Sequence, residues 1–257
     1  MPNALHIKVG EVLNNKEDVM KRLFLICALF LGAWAVRPGM SHGQTLSPVG
    51  SWQVTILGSD KGTAVMTFSN DFTVSGYGIT RKQFGLFTLT GNWAFNSKGD
   101  VVVAYVQSLD SVGTAFTFTA HLLRSGKFRA KGTDTAHATF RFKGEQPADI
   151  PNLSGSWTSV VHRRGKTLHE LYTVAASTNF PAVFDVTGQG LSDTGSFTLD
   201  GAIIATSHNK LNASIDRTSG VDTQRSSLFG TFKPARTEMR LVGVDDTHAH
   251  LTVKAAQ

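Results

Sequence analysis

Most of this chain is an internal duplication, and that feature limits the folds it can adopt. Four segments recur in the same order, at offsets between 105 and 112 residues. The matched pairs are Val49–Trp52 with Ser154–Trp157, Phe72–Ile79 with Phe184–Leu191, Phe87–Gly91 with Phe197–Gly201, and Arg129–Ala138 with Arg240–Ala249. Similarity at a long, fixed period indicates that one structural unit was copied. We therefore predict two similar domains in tandem.

The repeats set the expected domain boundaries. The first copy covers residues 49–146 and the second covers residues 154–257. Residues 147–153 carry two prolines, which disfavour helix and sheet pairing, so we predict a short, stiff linker. The drift of the offsets places one insertion in the second copy, around residues 175–181.

Each copy has the hydrophobic period of β-strands. Segments such as Trp52–Ile56 and Ala138–Phe142 alternate apolar and polar residues, and Gly-, Asn-, Asp- and Ser-rich turns separate such segments. No segment after residue 43 has the spacing of a long amphipathic helix. The predicted fold class is all-β.

About eight short strands of roughly 5–8 residues fit each copy, and sequential hairpins favour an antiparallel up-and-down barrel, whose closure removes exposed edges. The opening Gly-x-Trp, the glycine-rich strands and the terminal Arg240–Asp246 resemble avidin- and lipocalin-type barrels, so the expected barrels are calycin-like. No ligand-binding residue is carried over from that resemblance. A small β-sandwich and an outer-membrane barrel are the rival architectures; the latter needs strands of 9–11 residues and an apolar outer band.

The N-terminal region predicts export. Met20-Lys21-Arg22 precedes the uncharged run Leu23–Ala35, and small residues suited to signal cleavage follow. We predict a signal peptide over residues 20–43, a translation start at Met20, and a leader over residues 1–19 that is not part of the protein. The expected location is periplasmic or extracellular, with no transmembrane segment after cleavage.

Composition excludes several classes of protein. With 41% hydrophobic and 17% charged residues the chain is not a disordered protein. Its single cysteine, Cys27, lies within the predicted signal peptide, which excludes a disulfide scaffold or a multi-thiolate metal site. The net charge of +6 is mild and does not by itself predict a nucleic-acid partner.

The last strand predicted in the second copy offers a possible metal site. Alternation over residues 246–253 places Asp246, His248 and His250 on one face, where two imidazoles and a carboxylate can converge on zinc. Glu238, on the preceding strand, is a further candidate ligand. The competing interpretation is a polar, solvated strand face.

Asp134 and His137 recur in the second copy as Asp245 and His248. A His–Asp pair can orient a general base. An aspartate in a turn more often binds its own backbone, and we favour that structural interpretation.

Two groups of basic residues are candidate binding surfaces. Pairing the last two strands of the first copy gathers five cations suited to an anionic polymer, namely Lys127, Arg129, Lys131, Arg141 and Lys143. Arg163, Arg164 and Lys166 make the first hairpin turn of the second copy basic, where it can hold a ligand carboxylate. A solvated surface is the alternative for both.

Aromatic residues are distributed unevenly between the copies. The first copy has ten Phe, two Trp and two Tyr, whereas the second has five Phe, one Trp and one Tyr. We therefore expect a filled first barrel and a second barrel with room for an apolar ligand, unless aliphatic side chains fill it.

These patterns predict an exported, non-enzymatic protein that binds a small apolar ligand or an anionic envelope polymer and needs no cofactor. The alternative is a barrel isomerase or hydrolase that uses the His/Asp cluster, directly or through zinc. The sequence provides no assignable nucleophile.

Overall fold

Alternating side chains give each strand one buried and one exposed face. In Thr139–Glu145, for example, Phe140 and Phe142 are buried while Arg141 and Lys143 are exposed. A strand of this kind must cover its apolar face, and a closed barrel does so on every strand at once.

A computed structural model describes residues 46–257, which lie within one compact unit. The predicted leader and signal peptide lie outside the described residues. The first eight strands are β1 (Gly50–Gly58), β2 (Gly62–Phe68), β3 (Thr73–Thr80), β4 (Phe87–Phe95), β5 (Val101–Leu109), β6 (Val112–Leu123), β7 (Lys127–Asp134) and β8 (Thr139–Glu145).

The second eight strands are β9 (Gly155–Arg163), β10 (Lys166–Ala176), β11 (Val183–Ser192), β12 (Gly195–Ala205), β13 (Lys210–Ser219), β14 (Asp222–Lys233), β15 (Glu238–Asp245) and β16 (His250–Ala256). A short 3₁₀ turn, Pro234–Arg236, joins β14 to β15. The described residues contain no helix of the length and hydrophobicity needed to cross a membrane.

Each set of eight strands forms a closed antiparallel barrel. Every strand pairs with its sequence neighbour, and closure comes from β1 pairing with β8 and β9 pairing with β16. The prediction of two tandem eight-stranded barrels is confirmed. The strands are 7–12 residues long, which is longer than predicted, because the alternation continues into the segments that connect to each turn.

Each barrel has its own core. In the first, aromatic rings fill the interior, including Trp52, Phe87, Phe118 and Phe142. In the second, aliphatic residues pack around Trp157. The outward side chains of the hairpin β7–β8 are charged or polar, so the apolar side of this hairpin faces inward.

The repeated Gly-Ser-Trp closes one end of each barrel. Trp52 Nε1 donates to the Pro48 carbonyl at 2.6 Å, and Trp157 Nε1 donates to the Leu153 carbonyl at 2.8 Å. Each indole therefore fixes the chain that enters its barrel while its ring fills the core. The preceding Gly50 and Gly155 have φ values of 119° and 143°, which few other residues adopt.

The two barrels dock through outward-facing apolar side chains on β2–β3 of the first and β11–β12 of the second. The buried residues of this cluster are Val65, Tyr77, Ile79, Val183, Ala202 and Ile204. Hydrogen bonds flank the cluster, because Asn212 Nδ2 donates to Thr63 Oγ1 at 2.6 Å and Ser227 Oγ donates to the Thr80 carbonyl at 2.8 Å.

The insertion found in the second copy is part of this contact. It forms the loop between β10 and β11, where the Phe180 ring lies 4.5 Å from the Tyr77 ring. The Tyr77 hydroxyl also donates to the Pro181 carbonyl. The extra residues of the second copy therefore reach across to the first barrel.

Replacing Ile79 with aspartate is expected to separate the barrels and leave each one folded. Ile79 is fully buried between them, and an unpaired carboxylate there costs the docked state several kcal/mol. Small-angle X-ray scattering should show a larger radius of gyration, and the β-sheet circular dichroism spectrum should be unchanged. Ser75→Asp, on the exposed part of the same face of β3, is the control and should change neither. A folded Ile79→Asp protein of unchanged radius would show that this cluster does not hold the barrels together.

Candidate functional site

The repeated Asp and His residues form the same turn in both copies. Asp134 Oδ1 accepts from the amides of Ala136 and Ala138, both at 2.9 Å, and His137 has φ 60°. Asp245 Oδ1 accepts in the same way from the amides of Thr247 and Ala249, at 2.9 and 2.8 Å. The structural interpretation is confirmed, because each aspartate stabilises its own turn and its histidine occupies the left-handed position.

The three predicted metal ligands do not share a strand face. β16 begins only at His250, so Asp246 and His248 lie in the preceding turn, where His248 has φ 61°. Asp246 Oδ2 accepts from the Arg225 amide at 3.1 Å, and Glu238 lies at the other end of β15. The expected alternation was wrong because the Asp245 turn interrupts it. Among residues 46–257 there is no group of three His, Cys, Asp or Glu side chains placed to bind a metal.

The basic hairpin turn of the second copy is engaged with that same turn. Arg163 Nε donates to Asp245 Oδ2 at 2.5 Å, and Arg164 Nη2 donates to the Thr247 carbonyl at 3.0 Å. Lys166 is exposed. Arg163 therefore joins β9 to the β15–β16 turn, and two of the three residues predicted to hold a ligand carboxylate are held by the protein itself.

The interior of the second barrel is filled. A residual space of about 20 Å³ remains between the side chains, which leaves room for about one water molecule and for no larger ligand. A buried ion pair occupies the interior, in which Arg217 Nε donates to Glu170 Oε1 at 2.7 Å and Arg217 Nη1 donates to Ser226 Oγ at 2.6 Å. Ser159 Oγ donates to the other Glu170 oxygen at 2.7 Å. The apolar lumen expected in this copy is absent, because aliphatic side chains pack around Trp157 and the polar network of Glu170 and Arg217 occupies the rest of the interior.

The five predicted polymer-binding residues do lie on one surface. β7 pairs with β8 so that Arg129 lies opposite Lys143 and Lys131 lies opposite Arg141, and all four are exposed. Like charges in direct cross-strand positions destabilise a sheet. Within residues 46–257, no carboxylate lies at ion-pair distance from any of these four, whereas Lys127 pairs with Glu145 at 3.6 Å.

This surface continues into a cleft of about 520 Å³ between the barrels, which we call the basic cleft. Its lining includes the cations Lys61, Arg81, Lys127, Arg129, Lys143 and Lys210, together with the imidazole of His208 and the carboxylate of Glu145. The second barrel contributes His208 and Lys210 through the β12–β13 turn. Sequence reasoning missed these two residues because the docking that brings them to β7–β8 leaves no local pattern.

Hydrogen bonds fix the floor of the basic cleft. Gln53, which is buried, donates from Nε2 to the Ala205 carbonyl at 3.2 Å and accepts at Oε1 from the Ser207 amide at 3.1 Å. Glu145 Oε1 lies 3.0 Å from His208 Nδ1. The acidic residue is therefore partnered from both barrels, and the remaining cations present an uncompensated positive field.

The mouth of the first barrel holds a second cavity, of about 250 Å³. Its aromatic wall includes Tyr105 stacked on Phe116, with ring centroids 5.2 Å apart and planes 8° apart. Burial raises the pKa of Tyr105 far above its usual value, so its phenol stays neutral. Asp60 and Asp134 lie at the rim, and Gln107 donates to Gln83 across it.

The wall of this mouth contains a polar atom without a partner. The buried Thr80 hydroxyl makes no hydrogen bond within the described part of the chain, so it is free to bind a ligand or water in the cavity. The repeat explains why this mouth is open. Gly58 and Ala64 of the first barrel take the register positions of Arg163 and Glu170, the two residues whose ion pairs fill the second.

Comparisons with known proteins give no family. The chain matches no protein-family model, and it matches no curated protein. Among solved structures, a redesigned β-barrel, mFAP1, bound to DFHBI aligns at 18% identity and a TM-score of 0.35, covering 41% of this chain and 94% of that chain. A protein provisionally described as an outer membrane protein of Bacteroides fragilis aligns at 15% identity and a TM-score of 0.27, covering 80% of this chain and 96% of that chain. At these values neither match assigns a ligand or a location.

Asp245→Asn is expected to destabilise the protein at pH 7 by about 1–3 kcal/mol. Burial alone would raise the pKa of Asp245, but the Thr247 hydroxyl, the Ala249 amide and Arg163 outweigh it and hold the pKa below its usual value. A lowered folded-state pKa contributes stability that is present above the unfolded-state pKa, about 3.9, and is lost as the pH falls through the folded-state value. Urea unfolding should therefore show a difference from the natural protein that is full at pH 7 and shrinks below about pH 4.

The matched control is Asp134→Asn. The same turn is altered there, but Gly58 stands where the second barrel has Arg163, so the destabilisation at pH 7 should be smaller. Equal destabilisation of the two variants would show that the Arg163 ion pair adds nothing to the turn.

Proposed function

We propose that this chain is an exported binding protein that holds an anionic polysaccharide along the β7–β8 surface and in the basic cleft. The observation that carries the proposal is the convergence of unpaired cations from both barrels on one continuous surface. A region of one charge sign concentrates ligands of the opposite sign. The destabilising like-charge pairs Arg129–Lys143 and Lys131–Arg141 are consistent with a binding role.

The shape of the basic surface favours an extended ligand. Cations on β7 recur every second residue, so they stand about 7 Å apart along the strand. From Lys131 to Lys127 the row extends about 13 Å, and its Arg129 and Lys127 end lies in the cleft. A row of this kind matches an extended chain with repeated acidic groups better than a single compact anion.

The same surface favours a polysaccharide over a single-stranded nucleic acid. Non-specific binding of single strands uses aromatic side chains on which bases stack. The two rings in the cleft lining are engaged, because Phe128 is buried and Phe229 lies 4.6 Å below the Arg81 guanidinium. The cleft therefore offers charge without a stacking platform.

The double variant Arg129→Ser/Lys143→Ser is expected to weaken binding of a fluorescently labelled heparin oligosaccharide about ten-fold at ~0.1 M salt. Two exposed ionic contacts are worth about 1.4 kcal/mol together, which is a factor of ten in affinity. The salt dependence should also become shallower, by roughly one unit of slope for each cation removed. Fluorescence anisotropy measures both quantities.

The second barrel provides a charge-matched control. Arg240 lies opposite Lys254 in β15–β16, as Arg129 lies opposite Lys143, so Arg240→Ser/Lys254→Ser changes the net charge equally. This control should bind heparin as the natural protein does. Equal weakening in both variants would attribute binding to net charge, and much tighter binding of a single-stranded DNA oligomer than of heparin would overturn the polysaccharide assignment.

A second candidate function is binding of a small planar aromatic molecule in the mouth of the first barrel. The unpartnered Thr80 hydroxyl in an aromatic-walled cavity favours it, since a ligand there can stack on the rings and satisfy the hydroxyl. Asp60 and Asp134 at the rim favour a neutral ligand that donates hydrogen bonds over a carboxylate.

Thr114→Phe is expected to fill this mouth and to weaken binding of 4-hydroxybenzamide at least about ten-fold, since the added ring occupies the ligand's space. Saturation-transfer NMR on the full chain measures the binding, with benzoate as the anionic comparison. Thr114 faces the cavity, whereas Thr117 on the same strand is exposed, so Thr117→Phe is the control. Absence of 4-hydroxybenzamide binding, or equal binding by all three proteins, would reject the mouth as its site.

A further inference from the structure

Two imidazoles on the basic surface are each held by a carboxylate. His121 Nδ1 lies 2.9 Å from Asp100 Oδ1, and His208 Nδ1 lies 3.0 Å from Glu145 Oε1. The two histidine side chains are 73% and 63% exposed. Neither ring has a hydrogen-bond partner at Nε2 within residues 46–257. Each ring is therefore fixed on one side and open to a ligand on the other.

The first of these imidazoles stands beside the unpaired cations. β6 pairs with β7 so that His121 lies opposite Arg129, and β7 pairs with β8 so that Arg129 lies opposite Lys143. Neighbouring strands are about 4.8 Å apart, so the three exposed residues form a row about 10 Å long across the outer face. An anionic group that binds Arg129 therefore lies within reach of His121.

The second imidazole reaches the same surface from the other barrel. His208 lies in the β12–β13 turn and lines the basic cleft. Its partner Glu145 also pairs with Lys127 at 3.6 Å and accepts from the Ser207 hydroxyl at 3.4 Å. The cations that line the cleft with His208 are Lys61, Arg81, Lys127, Arg129, Lys143 and Lys210. Glu145 favours a charged ring at this position, whereas these cations oppose it until an anionic ligand binds.

The same balance of charges surrounds His121. Asp100, in the turn before β5, and Arg129, on β7, are the charged groups that face it, and Lys98 lies near Asp100. The hydrogen bond from His121 is the main cause that holds the pKa of Asp100 below its usual value. Asp100 is therefore ionised throughout the range in which histidine ordinarily changes its charge, pH 5 to 8.

The carboxylates decide which nitrogen of each ring is available to a ligand. The hydrogen bond at one ring nitrogen sets the state of the other. In a neutral ring, Nδ1–H donates to the carboxylate, and Nε2 is left as an acceptor that repels an anionic oxygen. In a charged ring both nitrogens donate, so Nε2–H can donate to a sulfate or a carboxylate. The charged ring also cancels the negative charge that Asp100 or Glu145 adds to the surface.

We propose that His121 and His208 are two further ligand-binding residues of the basic surface and that they make polysaccharide binding depend on pH. The inference rests on the proposed polysaccharide function and specifies how that site is regulated. At the alkaline end of the histidine range, the surface carries two neutral rings beside two carboxylates. At the acidic end, the same positions carry two cationic donors, so the affinity for an acidic polymer rises as the pH falls.

Fluorescence anisotropy of a labelled heparin oligosaccharide tests this on the full chain, at about pH 8 and about pH 5.5 in ~0.1 M salt. The sulfate groups of heparin keep their charge over this range. The natural protein should bind about ten-fold more tightly at the lower pH, because each added ionic contact is worth about three-fold in affinity. His121→Gln or His208→Gln should reduce this ratio to about three-fold, and the double variant should abolish it.

A variant with fixed charges distinguishes a charge switch from a structural role. His121→Lys/His208→Lys should bind at about pH 8 roughly ten-fold more tightly than the natural protein does, with little dependence on pH. Loss of a structural contact would not tighten binding. The matched control is His169→Gln/His250→Gln, which removes two exposed imidazoles outside the cleft and should keep the ten-fold ratio. All four positions are exposed, so the variants should fold, which circular dichroism checks.

The results separate this inference from the function on which it rests. Equal affinity at the two pH values, in a natural protein that binds heparin, would overturn the pH regulation and leave the polysaccharide function standing. A ten-fold ratio that survives in His121→Gln/His208→Gln, or that is lost in the control, would also overturn it. Absence of heparin binding at both pH values would reject the polysaccharide function, and this inference with it.

Discussion

Closure of each sheet on itself is the constraint on which the rest of the structure depends. Because β1 pairs with β8 and β9 pairs with β16, every strand has an inside and an outside, and the period of two decides which residue takes which side. Closure also decides which strands are neighbours. It places β8 next to β1, so the cations of the β7–β8 hairpin meet the docked edge of the second barrel and form the basic cleft.

Duplication produced two barrels of the same topology, and a few substitutions gave them different interiors. Arg163 and Glu170 each form an ion pair in the second barrel, whereas Gly58 and Ala64 leave the first barrel open at its mouth. Breaking a buried ion pair costs several kcal/mol, so the second interior is fixed by its polar network. The aromatic interior of the first barrel has no such network, and it can hold a cavity next to tightly packed rings.

The outside of the barrels diverged as well. The insertion around Phe180 belongs to the second copy alone and packs on Tyr77 of the first. It makes the docking one-directional, since the first copy has no equivalent loop to offer.

The sequence by itself determined the duplication, the strand class and the charged face of β7–β8, and it favoured closed barrels over a sandwich, because the repeats and the alternation are local and survive in the order of residues. The local pattern gave a wrong prediction at Asp246, because the hydrogen bonds that Asp245 accepts form a turn and interrupt the alternation. It also gave a wrong prediction at Arg163, because its partner Asp245 lies 82 residues away along the chain. Only the tertiary structure decided that Lys210 and His208 join Arg129 and Lys143 in one cleft, and that the first mouth is the open one. These features depend on contacts between distant strands and on volumes left between side chains, and neither has a signature along the chain.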